Sequence, residues 1–184
     1  MSDLSHIERI CETFYTRDPL GTTIPIGGAA MNLQLAAAGV AYEPASDVDV
    51  ICPTEYMDKL WAEIPTLKGL ASATIKWWSP HNSPTISILP DSTLYPNLLR
   101  FDACAWMNDF YPITHDALVA EPHRLATVFG IRCIRLGEAL IWRAMVGRDR
   151  DWASVRTVWP LATEAGLLSS EENARIVAQL AMRK

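Results

Sequence analysis

The chain has 184 residues, of which 49% are hydrophobic, and a formal net charge of −5 at pH 7. This length fits one domain, and the composition excludes an intrinsically disordered chain. The net negative charge argues against a strong general binder of nucleic acids. The apolar runs are too short to cross a bilayer, and the first residues, MSDLSHIER, lack a signal-peptide profile. We therefore expect a cytoplasmic protein with no membrane partner.

The charged residues are distributed unevenly along the chain. Residues 1–120 contain 6 Lys and Arg against 14 Asp and Glu, whereas residues 121–184 contain 10 against 7. One interpretation is that a polyanionic substrate binds where an acidic, metal-binding half meets a more basic half. The other is that helix surfaces simply differ in charge. The four cysteines lack a CxxC spacing, so neither a zinc site nor a disulfide framework is indicated.

The first 106 residues predict a mixture of helices and strands. Apolar residues recur at helical spacing near the N-terminus, and an alanine-rich segment runs to Gly39, a residue typical of a helix C-cap. The predicted helices are 4–15, 29–38 and 54–64. The predicted strands are 22–27, 47–52, 73–78, 85–89 and 98–106. Elements in this order indicate an α/β or α+β core with a mixed sheet.

From residue 113 onward, helical patterns replace most of the strands. The predicted helices are 113–120, 136–147, 149–166 with a kink or break at Pro160, and 169–183. Residues 125–134 are typical of short extended pieces, broken at Gly130. We expect a core at residues 1–112 and a helical C-terminal region at residues 113–184, packed together as a single compact unit.

Two aspartates on the predicted strand 47–52 point to metal chemistry. Asp47 and Asp49 project from the same face of the strand, whereas Val48 between them turns towards a core. Mg²⁺ binds through one or two such carboxylates together with substrate phosphates. Upstream, the pair Gly27-Gly28 precedes a helix, so that backbone and helix N-terminal N–H groups can approach a phosphate. Together these parts predict a site for a metal and a nucleotide.

A third acid, Asp102, lies in the predicted strand 98–106. An Asp inside an apolar strand is costly unless a cation or metal accompanies it. Pairing with Arg100 is one explanation. The other is a site in which Asp102 joins Asp47 and Asp49, so that three acids hold two Mg²⁺ ions.

These residues together resemble the polymerase-β-like nucleotidyltransferases. The resemblance rests on Gly27-Gly28, a following helix, the segment Ser46-Asp47-Val48-Asp49, and Asp102 in a later strand. Residues 136–155 also resemble the C-terminal motif of the AbiE-type, toxin-like group, with Arg148-Asp149-Arg150-Asp151 at the pattern R-x-[KR]-D. The resemblance implies a mixed β-sheet with helices on one side, which forms the catalytic core, and a helical region after it.

The resemblance also implies roles for individual residues. The triphosphate would be held by Gly27, Gly28 and Ser46, with Arg148, Arg150 and Asp151 near the nucleotide or acceptor. Mg²⁺ or Mn²⁺ would be bound by Asp47, Asp49 and Asp102, of which Asp102 helps to deprotonate the acceptor. The implied transferase moves a nucleoside monophosphate from an NTP to a hydroxyl of tRNA or other RNA, a protein or a small molecule, and releases pyrophosphate. A toxin-like role would add a partner protein.

Two departures from the family pattern leave alternatives open. Many relatives carry an Arg shortly before the Ser-Asp pair, where this chain has Tyr42-Glu43-Pro44-Ala45. AbiE-type relatives often carry a Lys in the helix before the R-x-[KR]-D pattern, where this chain offers Arg143. The alternatives are a catalytically degenerate binding or regulatory module with the same fold, and a metal-dependent phosphohydrolase that uses the same carboxylates.

Overall fold

The structure, a computed structural model, describes residues 4–78, 83–107 and 113–182 of the chain. The helices are α1 (Leu4–Arg17), α2 (Gly27–Ala37), α3 (Thr54–Glu63), α4 (His115–Ala120), α5 (Leu136–Val146), α6 (Asp149–Glu164) and α7 (Ser170–Ala181). The strands are β1 (Ile24–Pro25), β2 (Asp47–Ile51), β3 (Leu70–Trp78), β4 (Ser83–Pro90), β5 (Arg100–Cys104), β6 (Trp106–Met107), β7 (Ile113–Thr114), β8 (Leu125–Val128) and β9 (Ile131–Ile134). In these described ranges, no helix has the length and apolar character needed to span a membrane.

The main sheet has five strands in the order β1-β2-β5-β4-β3. β2 and β5 run parallel, and the other neighbouring pairs are antiparallel. Parallel strands need a crossover connection between them. Here the crossover is the chain segment that contains α3 and the antiparallel pair β3-β4. Two further two-stranded sheets, β6-β7 and β8-β9, lie outside it. The fold class predicted from the sequence, a mixed sheet with helices and a helical C-terminal region, is confirmed.

The strands β2, β4 and β5 each have one apolar and one polar face, because successive side chains in a strand point in opposite directions. The apolar face consists of Val48, Val50, Ile86, Ile88, Phe101 and Ala103, all buried. It packs against α1, α2 and α3. The polar face carries the intervening residues of the same strands, among them Asp49 and Asp102. The apolar face therefore determines which way the acids point.

A second core lies between α2 and the helical C-terminal region. It combines α2, β1 and β9 with α5, α6 and α7. Eight of the eleven residues of α2 are buried, because this alanine-rich helix contributes to both cores. α2 begins at Gly27 rather than at residue 29, which shortens the predicted strand 22–27 to β1. The predicted boundary after residue 112 falls at a segment outside the described residues, and the division there stays a prediction.

Two predicted features of the C-terminal region differ from the structure. The predicted helix 113–120 begins two residues later, because Thr114 caps α4 by accepting a hydrogen bond from the N–H of Ala117. Of the kink or break predicted at Pro160, the break does not occur, and α6 continues through the proline. Pro160 is exposed, whereas Val158 and Ala162 on either side of it are completely buried. Burial of these neighbours outweighs the single backbone hydrogen bond that proline removes.

A buried glutamine with three hydrogen bonds joins α2 to the start of α5, and its replacement should lower stability. The buried Gln34 donates from Nε2 to the carbonyls of Ala30 and Ile134, both at 2.9 Å, and accepts from the N–H of Leu136 at 2.8 Å. We expect Gln34→Ala to lower the free energy of unfolding by about 2–4 kcal/mol, since it leaves buried backbone groups unpaired and opens a cavity. Urea denaturation measures this. The partly exposed Gln179 offers the control, and an equal loss in Gln179→Ala would contradict the assignment.

Candidate metal centre

The parallel pairing of β2 with β5 places three carboxylates side by side. Asp49 lies opposite Asp102 across the strand pair, and Asp47 lies opposite Arg100. One oxygen from each of the three acids lies within 4.8 Å of the others. Oxygens on opposite sides of one Mg²⁺ ion are about 4.2 Å apart, because each Mg–O bond is about 2.1 Å long. Small side-chain rotations would therefore let Asp47, Asp49 and Asp102 share an ion.

Two side chains hold the carboxylate of Asp102. Arg100 Nε donates to Oδ2 of Asp102 at 3.0 Å, and Ser87 Oγ donates to Oδ1 at 2.7 Å. Arg100 Nη2 also donates to Oδ2 of Asp47. The guanidinium of Arg100 therefore bridges two of the three acids and offsets part of the repulsion among them. Arg100 pairs with Asp102 as one sequence interpretation expected, and it does so without removing Asp102 from the cluster.

The ionisation of Asp49 is altered by its burial and by its neighbours in the cluster. Burial, followed by the negative charges of Asp47 and Asp102, raises the pKa of Asp49 to about 7, although Arg100 and Arg143 act in the opposite direction. A divalent cation would favour the charged carboxylate and lower this pKa. Burial and the two neighbouring carboxylates thus outweigh the two arginines at Asp49, and three carboxylates this close together form an oxygen donor set suited to a divalent metal.

Gly27 lets the start of α2 approach the acids. Its φ of +59° lies in the left-handed region that favours glycine, and a Cβ at this position would lie 2.7 Å from Asp49 Oδ2. The N–H of Ile26 donates to the carbonyl of Asp49 at 2.9 Å, which fixes the helix start beside β2. Ile26 at the N-cap has no side chain that can cap α2. The N–H groups of its first turn therefore lie next to the carboxylates without a cap from the N-cap side chain, and such a helix start favours an anion.

Arg143 on α5 approaches the same place from the helical region. Its Nη2 lies 3.7 Å from the position that a Cβ of Gly28 would occupy, and its charge acts on Asp49. Its Nε is buried and has no hydrogen-bond partner within the described ranges. The family resemblance drew attention to Arg143 only as a replacement for a lysine, and the predicted site residues did not include it. Packing of α5 on α2 brings Arg143 there, which local sequence patterns do not reveal.

Two of the predicted residues at the start of α6, Arg148 and Asp151, are held mainly by one another. Asp151 is completely buried and accepts two hydrogen bonds from Arg148, from Nε at 2.6 Å and from Nη2 at 3.1 Å. Asp151 also lies 3.6 Å from Arg143 Nη1, so it connects α6 to the arginine beside Gly28. Arg150 and Ser46 are exposed. In the described part of the chain, no hydrogen bond or ion pair joins either of them to the three acids.

The likeness of this chain to known proteins lies in its fold. No family model matches the chain, and no curated protein matches its sequence. The structure is similar to that of JHP933 from Helicobacter pylori, with a TM-score of 0.52 and 11% identity over 95% of this chain and 73% of that protein. A second H. pylori protein, provisionally named a nucleotidyltransferase, has a TM-score of 0.52 and 11% identity over 99% and 83%.

The antibiotic-resistance factor ANT(2'')-Ia, whose solution structure reveals substrate-regulated conformation dynamics, is a third similar protein. It has a TM-score of 0.51 and 16% identity over 98% of this chain and 91% of that protein. At these low identities, the three similarities show the fold alone. The chain has a nucleotidyltransferase fold, whereas membership of the AbiE-type group stays a prediction.

Replacement of Asp49 should make the protein more stable at high pH when metal is chelated. The folded state raises the pKa of Asp49 above its unfolded value, so stability falls as the pH rises from about 4 to 7 and stays low above that. We expect Asp49→Asn to raise the free energy of unfolding by roughly 1–3 kcal/mol at pH 8 in EDTA, and by less at pH 5. Urea denaturation at both pH values measures this, with the exposed Asp58→Asn as control. A gain that does not grow with pH would contradict the electrostatic explanation.

The two adjacent glycines should respond differently to alanine. In Gly27→Ala the new Cβ would clash with the carboxylate of Asp49, and the left-handed backbone would be strained. We therefore expect the free energy of unfolding to fall by about 2 kcal/mol or more. In Gly28→Ala the new Cβ would lie 3.4 Å from its nearest atom, Ala45 Cβ, which is an ordinary van der Waals distance. Its expected change stays within about 1 kcal/mol. Chemical denaturation compares the two, and equal losses would show that the contact with Asp49 does not require Gly27.

Proposed function

We propose that this protein is a nucleotidyltransferase that moves a nucleoside monophosphate from an NTP to a hydroxyl group of an acceptor. The observation that supports this most strongly is the convergence of Asp47, Asp49 and Asp102 beside the uncapped start of α2. The nucleotidyltransferase fold adds independent support. The three acids would hold Mg²⁺ or Mn²⁺. When bound, this metal would neutralise charge on the triphosphate and polarise the reacting phosphate.

The nucleotide would bind where α2 begins. The N–H groups at Gly27 and Gly28 are suited to triphosphate oxygens, because a helix N-terminus favours anions. Arg143 lies beside Gly28 and has a buried nitrogen without a partner in the described residues, so we assign it to a phosphate as well. The buried Asp151 would hold Arg143 in place, and Arg148 would hold Asp151. In this assignment Ser46 and Arg150 act only if the bound nucleotide reaches them.

Asp102 is the residue that we assign to proton transfer. The acceptor oxygen forms a bond to the α-phosphorus while its proton moves to the carboxylate of Asp102. The bond between the α-phosphorus and the oxygen that bridges to the β-phosphate breaks, and pyrophosphate leaves. Arg100 donates to Oδ2 of Asp102 and holds this carboxylate in place. Positioning of the two reactants contributes the rest of the catalysis.

The acceptor that the chain supports best is a small hydroxyl-bearing molecule. The similarity to an antibiotic-resistance factor favours this class, and the net negative charge of the chain disfavours a large polyanion such as RNA. RNA, and a protein as in a toxin-like AbiE role with a partner protein, are the competing acceptors. A cytoplasmic location, where NTPs are available, accords with all three. In this proposal residues 1–112 supply the acids and residues 113–184 supply Arg143, so both regions are needed.

Binding and transfer can be tested in sequence. By calorimetry we expect at least one of ATP, GTP, CTP and UTP to bind in the presence of Mg²⁺ and not in EDTA. With an NTP labelled at the α-phosphate, we expect the label to move to an acceptor from a panel of antibiotics, tRNA and protein. Asp47→Asn and Asp102→Asn should reduce the transfer rate at least about 100-fold, because each removes a charged ligand of the metal. Asp58→Asn, remote on α3, is the control.

The outcomes of this test separate the alternatives. Hydrolysis of the NTP without transfer of the label to any acceptor would contradict the proposal and favour a phosphohydrolase. NTP binding without turnover on any acceptor would favour the degenerate binding module. If no NTP binds in a Mg²⁺-dependent way, or if the Asp47 and Asp102 variants bind and react like the wild type, the proposed function is wrong.

A further inference from the structure

We infer that Ser87 is a positioning residue for Asp102, and that its hydroxyl orients this carboxylate towards Asp47 and Asp49. The inference rests on the proposed function, since it assigns Asp102 to the metal. It adds a residue from a third strand, β4, to a site whose acids come from β2 and β5. No motif in the sequence indicates Ser87, because it lies in an alternating strand of ordinary appearance.

The position of Ser87 follows from the register of β4 against β5. Ser87 lies directly opposite Asp102 in this antiparallel pair. Its neighbours Ile86 and Ile88 are 2% and 0% exposed in the core on the other face of the sheet, so the alternation of the strand directs Ser87 to the polar face. Ser87 itself is only 7% exposed. A buried hydroxyl is costly without a partner, and here its partner is an acid of the cluster.

The two oxygens of Asp102 are held by different groups. Oδ1 accepts from Ser87 Oγ at 2.7 Å, and Oδ2 accepts from Arg100 Nε at 3.0 Å. A hydroxyl that donates to a carboxylate forms one of the stronger neutral-to-ionised hydrogen bonds. The terminal torsion of an Asp side chain is otherwise soft, because it has broad minima rather than three sharp ones. Ser87 therefore restrains the rotation that would exchange Oδ1 and Oδ2.

Ser87 and Arg100 differ in how they would respond to a metal. Arg100 contacts Oδ2 of both Asp47 and Asp102, so a cation bound at these two oxygens would compete with it. Ser87 contacts Oδ1 of Asp102 and would not compete with a cation at Oδ2. It is thus the contact that can keep Asp102 oriented both before and after a metal binds. Hydrogen-bond partners of metal ligands commonly act in this way.

The simplest alternative is that Ser87 only satisfies its own hydroxyl within the sheet. In that case its replacement would change stability and leave metal affinity untouched. Thr and Val have nearly the same shape and differ by a hydroxyl against a methyl group, so Ser87→Thr keeps the donor and Ser87→Val removes it. Thr74 on β3 lies opposite Ser87 and is exposed, which makes Thr74→Val the matched control one strand further from the acids.

The test is a titration of the full-length protein with Mn²⁺ alone, in which electron paramagnetic resonance measures free Mn²⁺. We expect Ser87→Val to weaken Mn²⁺ binding about 10-fold, as is typical for loss of a hydrogen bond to a metal ligand. Ser87→Thr and Thr74→Val should stay within about threefold of the wild type. Urea denaturation verifies that each variant is folded at the assay temperature, and Ser87→Ala replaces Ser87→Val if the latter does not fold.

Turnover provides a second readout once an acceptor is identified. A positioning role for Ser87 predicts that kcat falls while KM for the NTP changes little, and that Ser87→Thr recovers most of kcat. Mn²⁺ binding that is lost in Asp49→Asn but unchanged in Ser87→Val and Ser87→Ala would overturn the inference and leave the proposed function standing. Equal weakening in Ser87→Val and Ser87→Thr would also overturn it. Mn²⁺ binding that is unchanged in Asp49→Asn would instead overturn the proposed function.

Discussion

The register of β2 against β5 is the constraint on which the candidate site depends. It sets Asp49 opposite Asp102 and brings Asp47 next to Arg100. A slip of one residue would turn Asp102 into the core and bring Phe101 to the polar face, because side chains alternate along a strand. Phe101 is completely buried, as are the valines that flank Asp49. Hydrophobic packing beneath the sheet therefore fixes the geometry of the acids above it.

The negative charges that this register brings together are offset by arginines from two separate parts of the chain. Arg100 comes from β5 itself and bridges two of the acids. Arg143 comes from α5, which reaches the site because α2 belongs to both hydrophobic cores. Asp151 at the start of α6 is buried against Arg143 and Arg148, so the helical region contributes a positioned cation rather than a loose basic surface. The sheet and the C-terminal helices thus meet at the start of α2.

Local patterns predicted the parts of this arrangement that depend on neighbours in sequence. The alternation around Asp47 and Asp49 correctly placed both acids on the polar face of their strand. Which strands become neighbours is a property of the whole sheet, so the place of Ser87 opposite Asp102 could not be predicted. The same holds for Arg143, whose approach to Gly28 depends on helix packing. The start of α2 was predicted two residues too late. The contact that requires glycine at position 27 is with Asp49, a residue distant in sequence.

The contacts of Arg100 bear on when a metal would bind. Three acids without a cation would repel one another and oppose folding, whereas Arg100 lets the strands pair before any metal arrives. A metal would have to compete with this existing ion pair, so the three carboxylates would bind it less tightly than their number suggests. Triphosphate oxygens supply further ligands to Mg²⁺ and further negative charge. In the proposed function the metal therefore binds most favourably together with the NTP, which couples occupation of the metal centre to the presence of substrate.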